Sequence, residues 1–562
     1  MTSSAAIDSQ EFASPTRRDW LGLAALATAL GMIVLDGTIV GVALPTIIRD
    51  LKLDLTDAQW VNSLYAVVLA ALLLSSGSLA DRWGRRRMLL AGLVIFIGGS
   101  IFAAMAVTAS PLIVARVVQA VGAALIMPAT LSTVNATFRG KYRAAAFGVW
   151  GAVISGAAAV GPLVGGALTQ YASWQWIFLV NVPLGIIVVV ATFLWVRETK
   201  GGKGKPGADV AGALLSAIGF GALVFAVIEG PDLGWWVPKK DFVFFGMTWP
   251  ATAPISVVPV LLLIAAVALT LFIVWERHRG RNGRSALLDL KLFHLPTFAW
   301  GNLTAATVAV GEFAIIFVLP LYLINVLGLD VMSAGLILGA MAVGAFISGA
   351  SARHLAARLG APGVVLLGLL IELTGVIVLV LSVSSSSSGW VLAAILVLYG
   401  LGLGLASAQL TSTVLRDVPT AQSGQGSATQ STVRQVGTAL GTAFAGAALS
   451  IALAVTLPNA LAQNGLTGVA ADRLAAETRQ SAGTTIEILR QQGSASPLGA
   501  DTGRAVHALA EGFSDGTRAA MLVAVVFLTL GVLGAWRVWA VARRGAAVDI
   551  LAADTRPEAA RV

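Results

Sequence analysis

The stretch Leu30-Gly31-Met32-Ile33-Val34-Leu35-Asp36-Gly37-Thr38-Ile39-Val40-Gly41-Val42-Ala43-Leu44-Pro45 sets one carboxylate inside an otherwise apolar run. Between Trp20 and Ile48, Asp36 is the only ionisable residue. A helix of that length rises roughly 40 Å, enough to cross a hydrocarbon core about 30 Å thick with some tilt. Asp36 then lies near mid-membrane, where a carboxylate costs about 2.5–3.5 kcal/mol to insert. It is expected to face a cavity or a charge partner, and it is a candidate proton carrier.

Composition extends this reading to the whole chain. With 57% hydrophobic and 12% charged residues and a mean hydropathy of +0.85, 562 residues cannot form a soluble globule, in which about a quarter of residues are charged. An all-α polytopic membrane protein is expected. The net charge of +9 is spread over short loops between apolar runs. It reads as topology signal, and no nucleic-acid partner is expected. The absence of cysteine excludes disulfides, thiolate metal sites and thiol redox chemistry. His278, His294, His354 and His507 fall in loops or at helix ends, so neither a metal site nor a histidine relay is expected.

Apolar runs of spanning length recur at residues 20–48, 58–80, 87–108, 111–137, 143–170 and 175–196, then 209–229 and 255–275, then 297–325, 332–353, 362–383, 390–415, 422–456 and 518–541. The expected plan is fourteen membrane helices arranged six, two, six. Residues 1–19 form a tail, 20–196 the first six-helix bundle, 197–291 a linker carrying two extra helices, 292–541 the second bundle, and 542–562 a second tail. With the N-terminus inside, 26 basic residues fall on the inner side against nine outside. Both termini are therefore expected in the cytoplasm and residues 457–517 outside. Within that outer stretch, residues 470–491 read as amphipathic helix and 493–503 as disordered.

A faint internal repeat supports two bundles. Asp81-Arg82-Trp83-Gly84-Arg85 after the second span is echoed by Arg358-Leu359-Gly360 after the tenth. Duplication of this kind builds a transporter with a midplane cavity between two rocking halves.

Gly77-Ser78-Leu79-Ala80-Asp81-Arg82-Trp83-Gly84-Arg85-Arg86-Arg87 resembles the signature loop of the major facilitator superfamily. The resemblance implies that Gly77, Asp81, Arg82, Gly84 and Arg85 latch the cytoplasmic side shut in the outward-facing state. Arg116-Val117-Val118-Gln119-Ala120-Val121-Gly122 is similar to a second superfamily motif, with Ala120 in place of its first glycine. Arg116 needs a carboxylate, a polar network or water, and Asp36 is one candidate partner. Gly156-Ala157-Ala158-Ala159-Val160-Gly161-Pro162-Leu163-Val164-Gly165-Gly166 resembles the antiporter motif. Its small residues permit close helix approach, and Pro162 kinks the span. Together with residues 174–183, 35–40 and 424–437, the set resembles the fourteen-helix drug:proton antiporters of the EmrB/QacA type.

Three further buried groups are cavity candidates alongside Asp36 and Arg116: Glu312 in the ninth span, Glu372 in the eleventh and Arg434 in the thirteenth. Asp36 and Glu312 are expected to couple to protons and to face each other across the cavity, since their helices are pseudo-repeat counterparts. No G-x-x-x-x-G-K-[ST] string is present, so ATP is not the direct energy source. The expectation is a non-enzymatic, cofactor-free, monomeric exporter in a bacterial inner membrane. It exchanges protons for hydrophobic or amphipathic, cationic small molecules across the lipid bilayer. The alternatives are a dedicated exporter of an endogenous metabolite or lipid, and a non-transporting receptor on the same fold.

Overall fold

The computed structural model describes residues 14–138, 141–200, 209–244, 247–284, 286–419 and 423–554. Its first seven helices are α1 (Arg17–Leu51), α2 (Leu55–Trp83), α3 (Arg85–Ala104), α4 (Ala109–Thr137), α5 (Lys141–Tyr171), the single turn α6 (Trp176–Leu179) and α7 (Asn181–Trp195). An apolar hairpin follows, α8 (Val210–Leu233) and α9 (Val257–Arg281), with a short antiparallel ribbon, β1 (Phe242–Phe244) and β2 (Met247–Trp249), in its connection. The rest is α10 (Pro296–Leu321), α11 (Val331–Ser382), α12 (Gly389–Val414), α13 (Ser423–Gln463), α14 (Val469–Gln480), α15 (Thr484–Gln492) and α16 (Thr502–Asp554).

Local chemistry sets the helix starts. Thr16 and Asp19 form a reciprocal capping box on α1, and Asp54 and Asp57 form another on α2. Asp330 opens α11 by accepting the Ser333 amide at 2.8 Å. Gly84, at φ 111°, turns the chain from α2 into α3, and Gly360, at φ 72°, divides α11 into two helical segments. The faint sequence repeat thus marks the same glycine-dependent turn in both halves.

Among the described residues, eleven helices are long and apolar enough to cross a membrane. α11, counted once there, carries the two spans expected at 332–353 and 362–383, because the chain stays helical on both sides of Gly360. Large apolar side chains such as Ile186, Phe193, Leu263, Phe346 and Leu533 point outward and stay exposed. That surface requires lipid.

The polar stretch 457–517 differs from its expected form. α13 runs on to Gln463 and α16 already begins at Thr502, so little of it is loop. Residues 493–503, expected to be disordered, contain two 3-10 turns, Gly493–Ala495 and Gly499–Asp501. A hydroxyl pair, Ser496 and Thr502 at 2.5 Å, closes this segment. α14 and α15 bury Ala475, Ile486 and Leu489, and Phe513 of α16 is buried in the same apolar core. Arg490 ties the hairpin down by donating to the Val326 carbonyl at 2.7 Å.

The two halves, α1–α7 and α10–α16, meet through small residues. The face at which α1 begins is called the N-terminal face here, and the face at which it ends the far face. Toward the far face, a Cβ on Gly335 would meet the Pro162 carbonyl oxygen at 2.7 Å, and one on Gly166 would meet that of Val331 at 3.1 Å. Gln59 of α2 fills the space over Gly446 of α13, and Ser63 donates to the Ala439 carbonyl at 3.2 Å. α8 lies across this α2–α13 junction, joined by a shared apolar cluster and by Trp60 Nε1 donating to Glu229 at 2.9 Å. At its other end the hairpin is pinned by Asp209, which accepts Trp275 Nε1 at 2.8 Å and pairs with Arg279 at 3.0 Å.

Within the first half, α1 and α5 touch through glycine. Gly161 lies against the Thr38 side chain, and a Cβ on Gly165 would meet the Ile39 carbonyl oxygen at 2.9 Å. Gly165→Ala is therefore expected to destabilise the protein by about 1–3 kcal/mol through overpacking. At Gly156 nothing lies within 4 Å of the added methyl, so Gly156→Ala should be neutral or stabilising. Thermal unfolding of both variants in detergent reads the difference, and equal melting temperatures would show that the seam is not close-packed.

Candidate functional site

Asp36 is fully buried, and four helices build its surroundings. Gln119 and Arg116 stand three residues apart on α4 and so share one face. α3 comes within reach because Gly92, Gly99 and Gly122 let it approach α4: a Cβ on Gly99 would meet the Gln119 amide nitrogen at 2.8 Å, and one on Gly92 the Gly122 carbonyl oxygen at 2.7 Å. That brings Ser100 to Gln119. Asn181, at the start of α7, comes in beside Ser100, 3.4 Å away.

The resulting network is dense. Arg116 Nη1 donates to Asp36 Oδ2 in a charge-paired hydrogen bond. Asp36 Oδ1 accepts Asn181 Nδ2 at 2.8 Å and Gln119 Nε2 at 3.1 Å. Gln119 Nε2 also donates to Ser100 Oγ at 2.8 Å, and its Oε1 accepts Arg116 Nη1 at 2.8 Å. The guanidinium lies 4.1 Å from the centre of the Tyr65 ring on α2, which adds a cation–π contact. Both oxygens of Asp36 are thus satisfied and its charge is matched. Arg116, only 1% exposed, does not snorkel to an interface.

The second half carries a different cluster. Arg434 Nη2 of α13 donates to Glu312 Oε2 of α10 at 3.2 Å. Glu312 is buried, but the Arg434 side chain is 49% exposed and reaches open space. Glu372 of α11 is fully buried, with Tyr399 of α12 beside it. In this conformation Asp36, Arg116 and Glu372, expected as cavity residues, are sealed inside helix packing.

Asp36 and Glu312 do not face each other. α1 meets α10 at Gly41, whose added Cβ would lie 3.2 Å from Ile316. Gly41 and Asp36, five residues apart, point about 140° away from each other around the helix. Asp36 is turned inward to α3, α4 and α7, while Glu312 is turned toward α13.

The loop Gly77–Arg87 holds together by contacts inside the first half. A Cβ on Gly77 would meet the Pro128 side chain at the ordinary distance of 3.6 Å. Arg85 Nη1 donates to the Ser132 carbonyl at 2.9 Å, and the Arg85 amide donates to the Thr199 carbonyl at 3.0 Å. Arg82 is exposed, and the side chain of Asp81 lies outside the described residues. Glu198 occupies the space over Gly84 that a Cβ would fill, and accepts the Arg86 amide at 3.1 Å. A carboxylate at the start of α3 suits the helix dipole.

Sequence reasoning missed Ser100, Asn181, Tyr399 and Glu198. For the first three the available signal was a polar side chain in an apolar run. Glu198 stood in a charged linker and carried no such signal.

An ion pair sealed inside one half, a half-open pair in the other, and an apolar exterior define a polytopic membrane protein with charge buried in its spans. The Major Facilitator Superfamily matches residues 26–442, and the chain belongs to that superfamily. It is 33% identical over 519 residues to the multidrug resistance protein Stp of Mycobacterium tuberculosis (strain CDC 1551 / Oshkosh), covering 92% of this chain and 91% of that one. To the tetracenomycin C resistance and export protein of Streptomyces glaucescens it is 29% identical over 502 residues, 88% of this chain and 86% of that protein. Its fold is similar to the crystal structure of a bacterial homolog of the human lysosomal transporter Spinster in an inward-facing and unoccupied conformation. That match has a TM-score of 0.60 at 20% identity and covers 93% of this chain and 98% of the other.

Removing one partner of a buried ion pair strands the other charge. Arg116→Met is expected to cost about 3–5 kcal/mol, and Arg116→Met/Asp36→Leu to recover most of that, since no unpaired charge remains. Unfolding of the two variants in detergent separates these cases. A double variant no more stable than the single one would mean that the pair's charge is not what holds this region.

Proposed function

We propose that the protein exports hydrophobic or amphipathic, cationic small molecules in exchange for protons, with the Asp36–Arg116 pair as the coupling centre of the first half. The observation that carries this reading is Asp36 itself, a fully buried mid-span carboxylate whose main partner stands on another helix. Protonating it removes the charge that holds Arg116, so a proton here changes how α1 and α4 are joined. Glu312, held by half-exposed Arg434, couples to protons in the second half and meets the charge of the substrate. The names of the relatives support drug export. One proton entering the cell releases about 2.3 kcal/mol per 100 mV of membrane potential and about 1.4 kcal/mol per pH unit.

The chain crosses a bacterial inner membrane fourteen times as a monomer, with both termini in the cytoplasm. Supporting this count, the helical segments on either side of Gly360 each reach spanning length, and α2 and α5 have 29 and 31 residues. The far face is then the outer one. The inter-helix contacts between the halves at Gly335, Gly166 and Gly446 lie toward it, which supports an inward-open state.

Two experiments test the reading. In proteoliposomes, Asp36→Asn is expected to abolish export driven by a pH gradient, because an amide cannot release a proton. It should still fold, at reduced stability, since Arg116 loses its counter-charge. Export at the native rate would remove Asp36 from the coupling. For topology, a cysteine at Val469, 85% exposed, is expected to react with an impermeant maleimide in intact cells, and one at Arg281 only after permeabilisation. The reverse pattern would invert the orientation.

A further inference from the structure

Three of the four helices around Glu372 bring one ionisable group each into the apolar region. α10 brings Glu312, α12 brings Tyr399 and α13 brings Arg434, while α16 brings none between Arg518 and Arg537. The segment of α11 after Gly360 brings only Glu372. Arg434 is committed to Glu312 at 3.2 Å. Glu372 is fully buried, and neither of its carboxyl oxygens has a hydrogen-bond partner in the protein. Tyr399 lies beside it, and Glu312 and Arg434 are both close enough to act on it electrostatically.

Packing does not explain a glutamate here. The α11–α12 seam is made by glycines: a Cβ on Gly368 would meet the Ala406 amide nitrogen at 2.6 Å, and one on Gly375 the Tyr399 Cα at 2.8 Å. Gly402 lies against the backbone of Glu372 itself. So close a contact surface favours small or apolar residues. A carboxylate placed there without a cation of its own is strongly disfavoured, whereas the neutral acid is tolerated.

We propose that Glu372 carries the proton of the second half, and that Glu312 and Glu372 share Arg434, so that a proton on Glu372 and a cationic substrate on Glu312 exclude each other. This rests on the proton-coupled reading above and assigns its chemistry in the second half. In the arrangement seen, Glu372 holds its proton as a neutral acid and Arg434 neutralises Glu312. When the O–H bond of Glu372 breaks and the proton passes to water on the open side, the new carboxylate draws Arg434 away from Glu312. The carboxylate of Glu312 is then free to receive a monocation. One proton has left and one cation has arrived, and the net charge of the cluster is unchanged. Glu312 thus senses the proton through Arg434 and does not carry it.

Two measurements on the full-length protein in lipid nanodiscs test this. Infrared difference spectroscopy on raising the pH reads the proton directly. The carbonyl stretch of a protonated, weakly hydrogen-bonded carboxylic acid is expected in the wild type and should be missing in Glu372→Gln. Persistence of that band in the variant would overturn the assignment whatever the substrate is. Binding of tetraphenylphosphonium, used as a lipophilic monocation, then tests the exclusion. Wild-type affinity is expected to rise by up to about tenfold per pH unit, as linkage to one proton requires. Glu372→Gln should bind at least about tenfold more weakly at high pH, with no pH dependence, because Arg434 stays on Glu312. Glu372→Gln/Arg434→Gln should regain the affinity at high pH, a rescue that a misfolded or merely structural variant does not give. An unchanged pH slope in Glu372→Gln, or no rescue in the double variant, would overturn the shared arginine. No binding by the wild type at any pH would do the same and would also remove the cationic-substrate reading, leaving the infrared result to decide the proton site.

Discussion

A charge inside hydrocarbon must be matched, and the first half of this transporter is arranged around one such match. Asp36 and Arg116 are each almost wholly buried, so neither can rely on water. Pairing alone does not offset the desolvation of two ions; the remaining lone pairs and N–H groups need partners as well. Gln119, Asn181 and Ser100 supply them from α4, α7 and α3, and the Tyr65 ring covers the guanidinium. Four helices are thereby fixed relative to α1 by polar contacts, in a medium where apolar side chains give little reason to prefer one neighbour over another. The glycines of α3 and α4 serve the same end, since Ser100 reaches Gln119 only if the two backbones nearly touch.

Close backbone approach recurs wherever one half must meet the other. α5 is the hub: Gly161 and Gly165 receive α1, while Pro162 and Gly166 receive α11. Two adjacent faces of one helix therefore join the inside of its own half to the partner half. The α8–α9 hairpin straddles the second junction, between α2 and α13. With an apolar cluster and the Trp60–Glu229 hydrogen bond, α8 touches both sides of the boundary that rocking would open.

The two charge centres differ in completeness. In the first half, Asp36 is sealed and both of its carboxylate oxygens have a donor. In the second, the arginine is half exposed, one carboxylate holds it and another stands by without a cation. A carboxylate with a donor on each oxygen resists change, whereas a half-exposed arginine held by a single carboxylate is less constrained. The asymmetry arises because Arg116 stands on the fourth helix of its half and Arg434 on the fifth of the other, so the two pairs are not copies related by the internal repeat.

Much of this was legible in the residues alone. Apolar run lengths, the basic loops and the lone Asp36 in its span require a polytopic helical protein, because hydrocarbon admits no unpaired backbone and few charges. The strings around Gly84, Arg116 and Gly161 located the loop, the arginine and the seam, and Asp36 was already a candidate partner for Arg116. Direction and distance were not legible. That Asp36 turns away from Glu312 follows from its angular position on a packed helix, and that Glu198 fills the space over Gly84 follows from where α7 ends. Whether a buried carboxylate is paired depends on which side chains other helices bring to it, and sequence spacing within one helix carries no record of that. Glu312 and Glu372 looked alike as isolated acids in apolar runs; tertiary packing alone gave one an arginine and left the other without, because in this conformation Arg434 extends toward α10.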